Sequence, residues 1–212
     1  MTMTLYMHPM SATSRAVCMF ADWADIDLEH IEIDLQAGEH RQPAFLEINP
    51  NGMVPVLDDG GFLLTESSAI LKYLADKIGS NTYPKDSQDR ARVNEALDWL
   101  SANFYRDFAF NLVYPQIFPH HRRRSREGSD ATIEWGRDRA DHWLKLLDTN
   151  MIGANGSYLS LDRLTIADFL ARGMLGLGQA IEIEFEAYPN IRRWLAVVDE
   201  RKVSKTLLAA LA

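Results

Sequence analysis

Residues 49–74, NPNGMVPVLDDGGFLLTESSAILKYL, decide the fold. A Val54-Pro55 pair opens a short β-type run over Pro55–Leu57. Asp58-Asp59-Gly60-Gly61 follows, and a second run covers Phe62–Leu64. Two short apolar runs around an Asp/Gly turn predict a hairpin. Glu66-Ser67-Ser68 then opens a helix, in which Ile70, Tyr73, Leu74 and Ile78 recur at helical spacing before Gly79 stops it. Hydroxyls and free backbone N–H groups at a helix start bind anions. Extended backbone at a Val-Pro pair can hold a peptide by main-chain bonds. Together they predict a site for a small peptide with a free carboxylate.

Towards the N-terminus, Thr4–His8 reads as a first strand and Pro9-Met10-Ser11 as a loop. Val17, Phe20, Ala21 and Ala24 fall at i, i+3, i+4 and i+7, which predicts a helix over Ser14–Ala24. Ile31–Leu35 alternates like a half-buried strand, and Gln36–Gln42 is a polar loop. The order is β-α-β, a loop or short helix, a β-hairpin and a helix, which gives a mixed four-stranded sheet. Ser80–Ser87 is turn-rich and polar and reads as a linker. Beyond it only helical periods recur. Val93, Leu97, Leu100, Phe104 and Phe108 mark one long helix, Ala140, Trp143, Leu144 and Leu147 a second, and Ile191, Trp194, Leu195 and Val198 a third. Thr165-Ile-Ala-Asp168 is a capping box that starts a buried helix. The fold class is therefore α/β plus all-α: residues 1–79 form an α/β domain, 80–87 a linker and 88–212 an all-helical domain.

The chain has 212 residues, 47% apolar and 25% charged, enough for a proper core. Its net charge of −8 argues against general nucleic-acid binding and against an anionic membrane surface. One cysteine, Cys18, excludes an internal disulfide framework and fits a reducing compartment. It lies on the apolar side of the first helix and reads as packing. The absence of a secretory pattern and of a long apolar window completes the expectation of a cytoplasmic protein. The six histidines lack zinc spacing, so no metal is expected.

NPNGMVPVL at 49–57, LTESSAILKYL at 64–74, TIAD at 165–168 and YPNIRRWLAVV at 188–198 resemble the cytosolic glutathione transferases, over nearly the whole chain. HPMSATSRAV at 8–17 resembles the serine-using theta and delta groups and related bacterial enzymes. The resemblance implies a thioredoxin-like N-terminal domain, an all-helical C-terminal domain and a homodimer. It also implies glutathione as co-substrate and conjugation of its thiol to small electrophiles. A glutathione-dependent disulfide or peroxide reductase and a non-catalytic glutathione-binding protein are the alternatives on the same scaffold.

By the same resemblance Ser11 donates to the glutathione sulfur, with Ser14 and Thr13 as competing hydroxyls and Ser14 expected to cap the first helix. Val54, before a cis Pro55, pairs its backbone with the cysteinyl part. Ser67 holds the γ-glutamyl carboxylate and Glu66 its ammonium. His40 reaches the glycyl carboxylate, with Arg41 and Gln42 as neighbours. Gly52 and Ser68 stand where delta relatives carry a histidine and an arginine, so two cationic partners are missing. The aromatic-rich stretch Asn103–Pro119 is expected to wall the electrophile site, through Phe108, Leu112 and Tyr114. The basic island His120–Arg126 could attract an acidic electrophile or partner, although such runs are more often solvated.

Overall fold

The structure, a computed structural model, describes residues 2–200. The part of the helical domain after residue 200 lies outside the described residues. Strands β1 (Met3–Met7), β2 (Leu28–Glu32), β3 (Val56–Asp59) and β4 (Phe62–Leu64) form one sheet in the order β2-β1-β3-β4. β2 runs parallel to β1, whereas β3 is antiparallel to both β1 and β4. Helices α1 (Ala12–Trp23), α2 (Pro43–Ile48) and α3 (Ser67–Lys77) complete a thioredoxin-like unit. Gly60 and Gly61, at φ +63° and +96°, make the hairpin turn.

Two expectations need correction. The second strand begins at Leu28, not Ile31, with Leu5 opposite His30. It is a mostly exposed edge strand, so backbone pairing with β1 sets its extent and apolar alternation does not. Beyond Glu32 the chain still pairs with β1, the Ile33 N–H donating to the Met7 carbonyl at 2.9 Å, and Ile33 packs on Phe45 and Val56. The first helix begins at Ala12 rather than Ser14, because Ser11 is its cap: Ser11 Oγ accepts from the Ser14 N–H at 3.3 Å. Ser14 does not cap; it is fully buried and its Oγ accepts from the His8 N–H.

Asp86 caps α4 (Ser87–Trp99) by accepting from the Gln88 and Asp89 N–H groups, both at 3.0 Å. The helix does not stop at Trp99. It continues through two π-helical stretches, Leu100–Phe104 and Arg106–Val113, into α5 (Tyr114–Ile117). The sequence explains the unwinding. Leu100, Phe104, Phe108 and Leu112 are all buried and spaced by four. In an α-helix each such step overshoots one turn by about 40°, so the row would drift off the core. Wider turns, with the Tyr105 and Tyr114 N–H groups bonded to the carbonyls of Leu100 and Ala109, keep it facing inward.

Helices α6 (Arg126–Leu146), α7 (Ile166–Leu175) and α8 (Pro189–Asp199) follow. Asp168, fully buried, accepts from the N–H groups of Thr165 at 2.8 Å and Leu159 at 2.9 Å and from Trp194 Nε1 at 2.8 Å. It therefore starts α7 and also ties the preceding loop and α8 to it. One core runs through both halves, from Leu5 and Phe20 to Phe104, Phe169 and Trp194. The contact between halves is tight where α1 meets α7: a Cβ on Gly173 would fall onto the Ala12 carbonyl oxygen. The linker is tied down as well, since the Thr82 carbonyl accepts from the Ile166 N–H at 3.0 Å.

Candidate functional site

A cavity of about 950 Å³ lies between one end of the sheet and the α4–α5 rod. The α/β half lines it with Ser11, Thr13, His40, Arg41, Val54, Pro55, Glu66 and Ser67, among others. The helical half contributes Tyr105, Phe110, Tyr114, Phe118, His120 and His121.

Ser11 lies between β1 and α1 with its hydroxyl on the cavity. Its oxygen accepts from the Ser14 N–H and lies 3.1 Å from Thr13 Oγ1. Thr13 in turn donates to the Val54 carbonyl at 3.5 Å. Either of the Ser11 and Thr13 hydroxyls can donate to the other, and the Ser11 proton can turn to a ligand. The backbone N–H polarises that hydroxyl, and the α1 N-terminus adds a positive field. Ser14 points into the core and does not reach the cavity.

The Val54–Pro55 bond is cis. Glu66 precedes α3 at φ +66°, a conformation that an L side chain adopts only under constraint. Its side chain makes no capping bond, so ordinary helix-start chemistry does not employ it. Ser67 is the first helical residue and is 8% exposed. The N–H groups of the first turn of α3 have no partner within the helix and open beside Ser67.

His40 sits on the turn Glu39–Arg41. Its Nδ1 is buried with no hydrogen-bond partner among the described residues. Burial, then the charges of Arg41 and His120, holds this imidazole below its ordinary range. His8, which sequence reasoning missed, also lines the cavity; its Nδ1 accepts from the Met10 N–H at 3.1 Å.

The expected electrophile contacts divide. Tyr114 lines the cavity, and its hydroxyl lies 2.6 Å from that of Tyr105. Phe108 and Leu112 do not: they are 0% and 3% exposed and belong to the inward row of the rod. The open face carries Tyr105, Phe110, Ile117 and Phe118 instead. The signal was present in the spacing, since Tyr105 is displaced by one from the buried row. Burial raises both phenols above their ordinary range, so they act as neutral hydroxyls at neutral pH.

Cys18 is fully buried, and burial, with Asp22, pushes its thiol up to about 12. It is therefore no nucleophile at neutral pH. Among the described residues, no group of three or more His, Cys, Asp or Glu side chains is placed to hold a metal ion. No helix among them is long and apolar enough to cross a membrane.

A cis-proline, a hydroxyl at one helix start and an acid-serine pair at another thus open from one thioredoxin-like unit onto a single cavity, the architecture of a thioredoxin-like, two-domain class of protein. Comparison with known proteins agrees with that class. Residues 1–76 match the model of the glutathione S-transferase N-terminal domain, and residues 105–202 that of the C-terminal domain. Glutathione S-transferase theta-2B of Homo sapiens is 35% identical over 202 residues, covering 94% of this chain and 81% of that protein. The crystal structure of human glutathione transferase theta-2, in complex with glutathione and an unknown ligand, superposes with a TM-score of 0.84 at 31% identity, covering 99% of this chain and 88% of the other. A delta-class glutathione transferase of Nilaparvata lugens gives a TM-score of 0.82 at 29% identity, covering 99% and 100%. The chain belongs to the glutathione S-transferase family.

Proposed function

We propose that this chain is a glutathione transferase that ionises the thiol of bound glutathione beside Ser11 and directs it at a small hydrophobic electrophile. The observation that carries this reading is convergence: Ser11, Val54-Pro55 and Glu66-Ser67 open onto one cavity, whose opposite wall is aromatic. A free thiol of pKa ~8.5 is only a few per cent thiolate at pH 7. Lowering that value by ~2 units requires ~2.7 kcal/mol of preference for the anion. The Ser11 hydroxyl donating to sulfur, with the α1 N-terminus behind it, can supply that amount.

Val54 pairs its backbone with the cysteinyl residue. The Ser67 hydroxyl and the first N–H groups of α3 receive the γ-glutamyl carboxylate, and the Glu66 carboxylate, which makes no capping bond, receives the ammonium. His40, which lines the cavity beside Arg41, receives the glycyl carboxylate. The thiol proton leaves to solvent, the thiolate attacks the electrophilic atom, and the leaving group departs with the bonding pair. Holding both reactants in one cavity supplies the rest of the rate. Tyr105, Phe110, Tyr114 and Phe118 form the electrophile wall.

The glutathione-binding unit is residues 1–79 and the electrophile-binding unit 88–212, joined by 80–87. The end of α3 at Lys77 and the cap at Asp86 support these limits. A homodimer is supported by family membership and by Phe62 and Leu63, 51% and 42% exposed on the edge strand β4. A cytoplasmic location fits the single buried cysteine.

Ser11→Ala tests the reading. Turnover with a chloronitrobenzene should fall about 100-fold while glutathione affinity by calorimetry stays within a few-fold. Unchanged turnover would contradict the role of Ser11. Absence of glutathione binding to the wild type would contradict the whole reading. Faster reduction of a mixed disulfide than conjugation would favour a reductase.

A further inference from the structure

The helical half brings a second set of nitrogen donors to the His40 end of the cavity. His40 and Arg41 stand on the turn Glu39–Arg41, and His120 and His121 on the turn Pro119–His121; all four line the same cavity. They are near enough to act on one another's charge. After burial, Arg41 and His120 depress the protonation of His40, and His120 and Arg41 that of His121.

The two rings of the helical half are held in place by aromatic neighbours. Their centroids lie 4.5 Å apart. His120 stacks on Phe118 at 5.6 Å, and His121 packs against Tyr114 at 5.0 Å and Phe110 at 5.6 Å. On the α/β half, His40 also lines the cavity, and its Nδ1 is buried with no partner among the described residues. Among the described residues, no acid forms a salt bridge with this cluster. Glu39, the adjacent carboxylate, is occupied by the Asp34 N–H at 2.7 Å. Among the described residues Glu66 is the one Asp or Glu that lines the cavity, and it belongs to the start of α3. A guanidinium and three imidazoles lining one cavity offer several N–H donors, which suit an incoming carboxylate. Gly52, beside the His40 backbone, contributes no cation of its own at this end of the cavity.

We propose that His120 and His121 complete, with His40 and Arg41, a carboxylate subsite that bridges the two halves of the chain. The proposal rests on the glutathione transferase reading for the place of the tripeptide. The carboxylate has two sources, the glycyl end of glutathione or an acidic group on the electrophile.

The experiment uses the full chain and the double variant His120→Ala/His121→Ala, with thermal unfolding as a check on the fold. Calorimetry compares glutathione with its glycinamide, and separately 4-chloro-3,5-dinitrobenzoate with uncharged 1-chloro-2,6-dinitrobenzene. The second pair is measured without glutathione. The wild type should prefer the carboxylate in at least one pair by about tenfold or more, and the double variant should lose that preference while binding the uncharged member as before. Loss in the first pair assigns the subsite to glutathione; loss in the second assigns it to the electrophile. Equal preference in wild type and variant for both pairs overturns the subsite. A wild type that binds neither glutathione nor its amide overturns the glutathione reading instead, and the benzoate pair still decides the subsite. If the variant fails to fold, His120→Leu/His121→Leu, which nearly keeps the volume and removes the N–H donors, gives the same comparison.

Discussion

The two walls of the cavity are built in different ways. The α/β wall is made of turns, caps and backbone: Ser11 before α1, Val54 before Pro55, and Glu66 and Ser67 at the start of α3. Each is fixed by local chemistry within a few residues of itself. The helical wall is made of side chains on a rod, and which of them face the cavity depends on how far the rod is unwound. A one-residue displacement separates Phe104, in the core, from Tyr105, on the cavity. Local chemistry thus sets the peptide side, and tertiary packing sets the electrophile side.

Four measurements can break or sharpen this contrast. The largest effect is expected at Phe108, stacked on Phe104 at 4.8 Å and fully buried. Phe108→Ala should cost about 3–5 kcal/mol in denaturant unfolding and leave the electrophile KM unchanged in protein that still folds. A changed KM with full stability would put Phe108 on the cavity after all. Next is Asp168→Ala, which strands the buried N–H groups of Thr165, Leu159 and Trp194. A loss of about 3 kcal/mol is expected, with Ser11 chemistry intact; a surface-like loss below about 0.5 kcal/mol would deny that the residue is a structural tie.

The third concerns pH. Cys18 rises from 9.0 in the free state to about 12 in the fold. Above pH 9 the unfolded chain therefore releases a proton that the folded chain keeps, and stability falls as pH rises towards 12. The slope from this thiol is about 1.4 kcal/mol per pH unit. Cys18→Ala should flatten the alkaline limb of the stability curve by that amount, and parallel curves would contradict the burial effect. The smallest effect is at Phe110, which lines the cavity and is 41% exposed. Phe110→Ala should raise the electrophile KM by about 3- to 10-fold, the equivalent of about 1 kcal/mol, with stability nearly unchanged.

The contrast also explains what could be read from the chain alone. The hairpin, the cis-proline position, the acid-serine helix start and the capping box at Thr165–Asp168 were legible because each is a short-range signal. β2 was misplaced because an exposed edge strand takes its limits from its neighbour β1. Ser14 was expected as the cap because the apolar period begins there, yet the hydroxyl three residues earlier reaches its N–H. Phe108 and Leu112 were expected on the cavity because they are aromatic or apolar in the right stretch. Periodicity gave the helix but not its open face, which the π-helical turns decide. His120 and His121 read as a solvated run, and only the fold brings them to His40.

The most direct test of the account is the ionisation of bound glutathione, followed by thiolate ultraviolet absorbance against pH in wild type and in Ser11→Ala. A wild-type midpoint about 2 units below the ~8.5 of a free thiol, returning towards that value in the variant, is the predicted result. Coincident midpoints in the two proteins would contradict it.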